Sequence, residues 1–98
     1  MWAADFPQPF STGSFMKVTV LFFGKVADVM GERHRVLDLA DTPGRLFDLR
    51  QSVLEAAFAS GALEAQRVLM SVNQALTHED RPLQDGDEVA FFPVFSGG

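Results

Sequence analysis

Residues 17–23, Lys-Val-Thr-Val-Leu-Phe-Phe, are rich in the β-branched and aromatic side chains of a strand. Val18, Val20 and Phe22 fall on one face; Lys17, Thr19, Leu21 and Phe23 fall on the other. The lysine and threonine mark the second face as the wetter one, so Phe23 is expected to point away from the core. A second apolar run, Val89-Ala-Phe-Phe92, follows the turn residues Asp85-Gly-Asp-Glu88 near the other end of the chain. There Glu88, Ala90 and Phe92 share a face, which directs Phe92 outward too. As the two most apolar strands, these runs are predicted to be central and adjacent in one sheet.

The chain between them supplies the remaining elements. After Gly24, Val26, Val29 and Met30 follow helical spacing and Gly31 stops the turn. His34 to Leu39 reads as a second strand, weakened where Val36-Leu37 breaks the alternation. In Asp41-Thr-Pro-Gly44, Thr42 is the expected N-cap and Pro43 the first helical residue. From Leu46 the period becomes 3.6, with Leu46, Leu49, Val53, Ala57 and Phe58 on one stripe and Leu54 beside it, until Ser60-Gly61. A third strand runs from Arg67 or Val68 to Asn73. Asn73-Gln-Ala75 makes a turn, and Leu76 and Thr77 start a short segment. The order is strand, strand, helix, strand, short segment, strand. This is an α+β pattern of the ubiquitin-like β-grasp kind, a mixed four- to five-stranded sheet with one main helix.

Composition narrows the function. The 98 residues suffice for one domain, expected from Met16 to Gly98. Residues 1–15, with no consistent period and no charged-then-apolar leader, read as a loose extension rather than a secretory signal. The chain has no cysteine, which excludes disulfides, cysteine metal sites and cysteine nucleophiles. Two histidines, His34 and His78, are too few and too scattered for a histidine metal cluster, so no metal site is expected. No apolar run approaches the roughly 18 residues of a membrane span, and a cytoplasmic protein without a membrane partner is expected. The net charge of −5 disfavours nucleic acid and favours a basic partner. Ten phenylalanines in 98 residues exceed the obvious need of a small core and hint at a partner interface.

Searches for reacting side chains return turn chemistry. Asp85 and Asp87 flank a turn glycine. The serines lack a nucleophile-elbow context, and His78 has no evident partner. His34, between Arg33 and Arg35 at a strand edge, reads as solvated. What remains is the end of the chain, Phe91-Phe-Pro-Val-Phe-Ser-Gly-Gly98. The last ten residues carry no ionisable side chain, so the α-carboxylate is the charge there. At roughly 7% glycine usage, a terminal Gly-Gly arises by chance in about half a percent of chains. Glycines without Cβ can thread a narrow channel into another protein's active site. A carboxylate so delivered needs activation: a partner supplies ATP, forms an acyl-adenylate, and a sulfur donor displaces AMP.

From Met16 to Gly98 the sequence resembles the small subunits of molybdopterin synthase, the MoaD-like sulfur carriers. The stretches that carry the resemblance are KVTVLFFGKVADVMG, LRQSV, SVNQAL and above all RPLQDGDEVAFFPVFSGG. It implies that Gly98, preceded by Gly97, is adenylated by a ubiquitin-activating-like adenylyltransferase and becomes a thiocarboxylate. The tail, Pro93, Val94, Phe95 and Ser96 with the diglycine, would then insert into the large subunit, which supplies the catalytic residues. Sulfur would pass to cyclic pyranopterin monophosphate to build the molybdopterin dithiolene. This makes the chain a sulfur-donating, non-catalytic subunit with no bound cofactor, ATP being consumed by the activating partner. Family members dock through an apolar sheet patch that maps onto Phe23, Leu76 and Phe92. The family commonly has two prolines in the tail, where this chain has Pro93 followed by Val94 and Phe95. Alternatives are a carrier for thiamine thiazole or tungsten-cofactor synthesis, a ubiquitin-like protein modifier, and a plain interaction module. The helical insert at Lys25–Met30 favours the molybdopterin carrier over the shorter thiazole carriers.

Overall fold

A computed structural model of the chain describes residues 17–39 and 44–94. The extension 1–15, Met16, the expected helix start at Thr42 and Pro43, and Phe95, Ser96, Gly97 and Gly98 lie outside the described residues.

The elements are β1 (Lys17–Phe22), α1 (Gly24–Met30), β2 (His34–Asp38), α2 (Leu46–Ser60), a single 3₁₀ turn (Ala65–Arg67), β3 (Val68–Val72), β4 (Ala75–Thr77) and β5 (Glu88–Pro93). One five-stranded sheet has the order β2-β1-β5-β3-β4. The two apolar runs are adjacent: β5 is the central strand and pairs in parallel with β1, Val20 opposite Val89 and Phe22 opposite Phe91. The other pairings are antiparallel, which makes the sheet mixed. This is the β-grasp arrangement, with α2 laid across one face.

Alternation along the strands places the core. Val18, Val20 and Phe22, Val68, Met70 and Val72, and Val89 and Phe91 are buried on the helix side. They meet Leu46, Leu49, Leu54 and Ala57 of α2, Val26 of α1, and Leu63 and Leu83 from the connections. Phe22 and Phe91, opposite each other in the parallel pair, stack with ring centroids 6.2 Å apart. The buried stripe of α2 differs from the sequence reading. Leu54 is buried with Leu46, Leu49 and Ala57, while Val53 and Phe58 are only half-buried. Phe58 turns towards Arg50, whose guanidinium lies 5.8 Å from its ring and 5.7 Å from that of Phe47. The Val36-Leu37 break in β2 is likewise resolved, since Leu37 packs towards the core and Val36 is 56% exposed on the other face.

The start of α2 is capped from a distance. Arg45 is the N-cap and its own side chain makes no cap. Instead the amide of Phe47 donates to Oδ1 of Asp80 at 2.9 Å, and Arg45 Nε donates to Asp80 Oδ2 at 3.0 Å. A carboxylate at a helix N-terminus also meets the favourable end of the helix dipole. The Phe47 amide, followed by the Arg45 side chain, holds the Asp80 carboxyl below its ordinary value of 3.8.

Candidate functional site: the outward sheet face and the root of the tail

The sheet face turned away from α2 is built by the same alternation. Across the strands, Leu21, Ala90, Ser71 and Leu76 stand opposite one another in one row. In the next row Phe92 stands opposite Leu69. Phe23 follows Phe22 at the end of β1, and its amide donates to the Phe91 carbonyl at 3.0 Å, so it reaches the level of Phe92 on the neighbouring strand. Phe23 is 49% and Leu76 56% exposed, while Phe92 is half-buried. The three residues expected on this face are therefore on it: Phe23 and Phe92 on adjacent strands, Leu76 across β3 and one row along. Leu21, Leu69 and Ala90 complete the surface. They were legible in the same alternation, as the positions left over once the inward ones are assigned. Ala90 faces outward yet is only 6% exposed, walled in by its larger row neighbours.

Leu76 is presented by a pinned hairpin. Asn73 and Gln74 have φ of 52° and 72°, the left-handed pair that a two-residue hairpin turn demands. Asn73 Nδ2 donates to Oδ1 of Asp87 at 2.9 Å, and Asn73 Oδ1 accepts from the amide of Glu88 at 2.9 Å. The other oxygen of Asp87 accepts from the amide of Gln84 at 2.9 Å. Asp87 is 7% exposed, so these bonds replace lost water. Asp85 Oδ1 accepts from the amide of Lys17 at 2.8 Å. Both aspartates thus serve the turn into β5, as the sequence suggests, and the described residues contain no group of three or more metal-ligating side chains. His34 and His78 are exposed, and Arg35 is paired with Glu32 and lies over the Phe22 ring at 5.7 Å.

The root of the tail is fixed to the body. Pro93 still pairs with Val68, and the amide of Val94 donates to the carbonyl of Arg67 at 3.0 Å. Gly24, at φ +55°, comes so near the Pro93 ring that a Cβ there would stand 3.2 Å from Cγ. The central strand of the sheet therefore runs straight into the C-terminal segment, and Val94 is the last residue described. The arrangement suits presentation of a terminus: a rigid body, an apolar face beside the exit, and a tail without charged side chains.

Residues 20–98 match the ThiS family. The chain belongs to the ThiS family. It is 42% identical over 82 residues to the molybdopterin synthase sulfur carrier subunit of Escherichia coli (strain K12), spanning 83% of this chain and 99% of that protein. Among solved structures, small archaeal modifier protein 1 from Methanosarcina acetivorans is similar with a TM-score of 0.66 and 18% identity, over 85% of this chain and 97% of that one. A chain of the complex of subunits 1 and 2 of the molybdopterin-converting factor from Helicobacter pylori 26695 is similar with a TM-score of 0.58 and 24% identity, over 85% of this chain and 100% of that one. These likenesses agree with the ubiquitin-like β-grasp fold of this ThiS family member. No helix among its described residues is long and apolar enough to cross a membrane.

Proposed function

We propose that this chain is the sulfur carrier subunit of a molybdopterin synthase, bearing its sulfur as a thiocarboxylate on Gly98. The observation that carries the reading is the path of β5, the central strand, which delivers Val94 to the edge of the body, two residues short of a C-terminal Gly-Gly. The relatedness to the Escherichia coli sulfur carrier subunit over nearly that protein's whole length supports it.

The chemistry balances as follows. The Gly98 carboxylate attacks the α-phosphorus of ATP in an adenylyltransferase, and pyrophosphate leaves. The terminal sulfur of a donor persulfide attacks the acyl carbon and AMP departs, leaving an acyl disulfide. A second thiol of the donor attacks the donor's own sulfur, is oxidised to a disulfide with it, and releases the thiocarboxylate. In the large subunit that sulfur passes to cyclic pyranopterin monophosphate and Gly98 returns as the carboxylate. Two such cycles supply the two sulfurs of the dithiolene. The carrier's own contribution is to bind and to position. Phe23, Leu76 and Phe92 dock the body, while Pro93, Val94, Phe95, Ser96 and Gly97 bring Gly98 into the partner's site. Neither ATP nor any other cofactor is held by the carrier itself.

The test is a single-turnover transfer. Chain bearing the thiocarboxylate is mixed with its large subunit and cyclic pyranopterin monophosphate. Conversion of the pterin, with return of the chain to its carboxylate mass, supports the reading. A loaded chain that keeps its sulfur in the presence of a competent large subunit contradicts it.

A further inference from the structure

Beside the root of the tail lies a groove of about 210 Å³, with Val26, Leu63 and Val94 in its walls and Lys25, Glu64 and Arg67 around it. It is smaller than the roughly 300–1,000 Å³ of small-molecule sites, and it suits one or two side chains of a peptide better than a metabolite. Lys25 and Arg67 are both exposed, and neither side chain has a hydrogen-bond or ion-pair partner among the described residues. Arg33 and Arg81, also exposed, lie away from the groove, and three further cations are engaged. Lys17 pairs with Asp38, Arg35 with Glu32 and Arg45 with Asp80.

Local folding does not explain these two charges. Lys25 stands in the first turn of α1, which holds no acidic residue, and a cation there meets the unfavourable end of the helix dipole. Arg67 uses its backbone carbonyl to tether Val94, and its guanidinium has no partner among the described residues. On a chain of net charge −5, the pair makes a local reversal of sign at the point where the tail departs. Glu64, which also accepts from Gln66 Nε2 at 3.5 Å, is the single carboxylate in the lining against the two cations, so the balance around the groove is positive.

We propose that this groove grips an acidic, extended segment of the large subunit. Its carboxylate faces Lys25 and Arg67, and a neighbouring apolar side chain enters against Val26 and Leu63. The inference rests on the proposed function, because a protein that takes in the tail necessarily closes around its root. Charge complementarity and continuity with the tail select this occupant. The sheet face fixes where the body sits, and the groove fixes the direction in which the tail enters.

The test uses the purified complex of the full chain with its large subunit and a zero-length carbodiimide, which joins a lysine amine to a carboxylate with loss of water. The chain has two lysines, Lys17 and Lys25, at opposite ends of β1, so Lys17 is the internal control. The expected product is an amide between Lys25 Nζ and an Asp or Glu of the large subunit, while Lys17, paired with Asp38, couples at most within its own chain. The variant carrying both Lys25→Glu and Arg67→Glu should bind the large subunit about tenfold more weakly or worse, with a flattened or inverted salt dependence. Both positions are exposed, so its melting temperature should stay near wild type, and Arg81→Glu should bind as wild type does. Coupling of Lys25 to this chain's own Glu64 or C-terminal carboxylate, or wild-type affinity in the double variant, would overturn the proposal while the proposed function stands. A wild-type chain that does not bind the large subunit would overturn the function and the groove together.

Discussion

The amide of Val94 donates to the carbonyl of Arg67 at 3.0 Å, so the chain is tied to its body up to four residues from its end. Four residues reach at most about 13–14 Å beyond that tether. If Gly98 reacts as proposed, its carboxylate has a limited range, and the partner must come close to the body. Docking surface and reach are two halves of one requirement.

The exposed part of the sheet face should act in binding rather than in folding. Phe23→Asp and Leu76→Asp are expected to keep melting temperatures near wild type and to weaken association with the large subunit at least about tenfold. Phe92→Asp should also fold and bind poorly, but with a larger thermal loss, because Phe92 is half-buried. Calorimetric titration paired with thermal melts reads both effects. Unchanged affinity in all three variants would remove this face from the interface.

Asp87 carries the hairpin that presents Leu76. Asp87→Ala strands the Asn73 side-chain amide and the Gln84 backbone amide, which costs about 1–3 kcal/mol. Urea unfolding should show a lower midpoint with an unchanged slope. Asn73→Ala should be destabilising too. A double variant no worse than the poorer single would show that the two act as one unit.

Asp80 makes stability depend on pH through the start of α2. Its folded pKa lies below the ordinary 3.8, so its contribution is complete above that value and is lost as pH falls through the lower folded value. Asp80→Asn should melt a few degrees below wild type at pH 7. The gap should narrow as pH falls below about 4, where the wild-type carboxylate is protonated. A gap independent of pH would assign the effect to packing rather than charge.

Residues 1–15 are expected to be dispensable. A chain beginning at Met16 should match the full chain in melting temperature and in sulfur transfer. A marked loss in either would show that Phe6, Phe10 or Phe15 packs on the domain.

Much of this was legible in the sequence because it is written in short periods. Alternation alone placed Phe23 and Phe92 outward, and the two most apolar runs became adjacent strands. The same logic left Leu21 on the outward face, where Leu69 stands too, opposite Phe92. What escaped was long-range. The cap of α2 comes from Asp80, 33 residues beyond the Phe47 amide that it holds, where a local reading turns to Thr42. The Asn73–Asp87 bond joins positions 14 apart, brought together only once β3 and β5 pair. Leu54 is fully buried and Val53 only half-buried, because the packing partners around a helix, not spacing alone, choose which flank is covered. The pairing of Lys25 with Arg67 at one groove is likewise a product of the fold, since α1 and the 3₁₀ turn are distant in sequence.

The most direct measurement is the intact mass of the chain after incubation with its adenylyltransferase, ATP and a persulfide donor. Wild type should gain the oxygen-for-sulfur increment, localised to Gly98 by fragmentation. Deletion of Gly98 shortens the reach by about 3.3–3.6 Å, and an appended alanine displaces the carboxylate by a similar length. Misplacement of that order can cost a hundredfold or so in rate, so neither variant should load, while both should melt as wild type does. A wild-type chain that never gains the increment with a competent adenylyltransferase, or an alanine-extended chain that loads without trimming, would contradict the account.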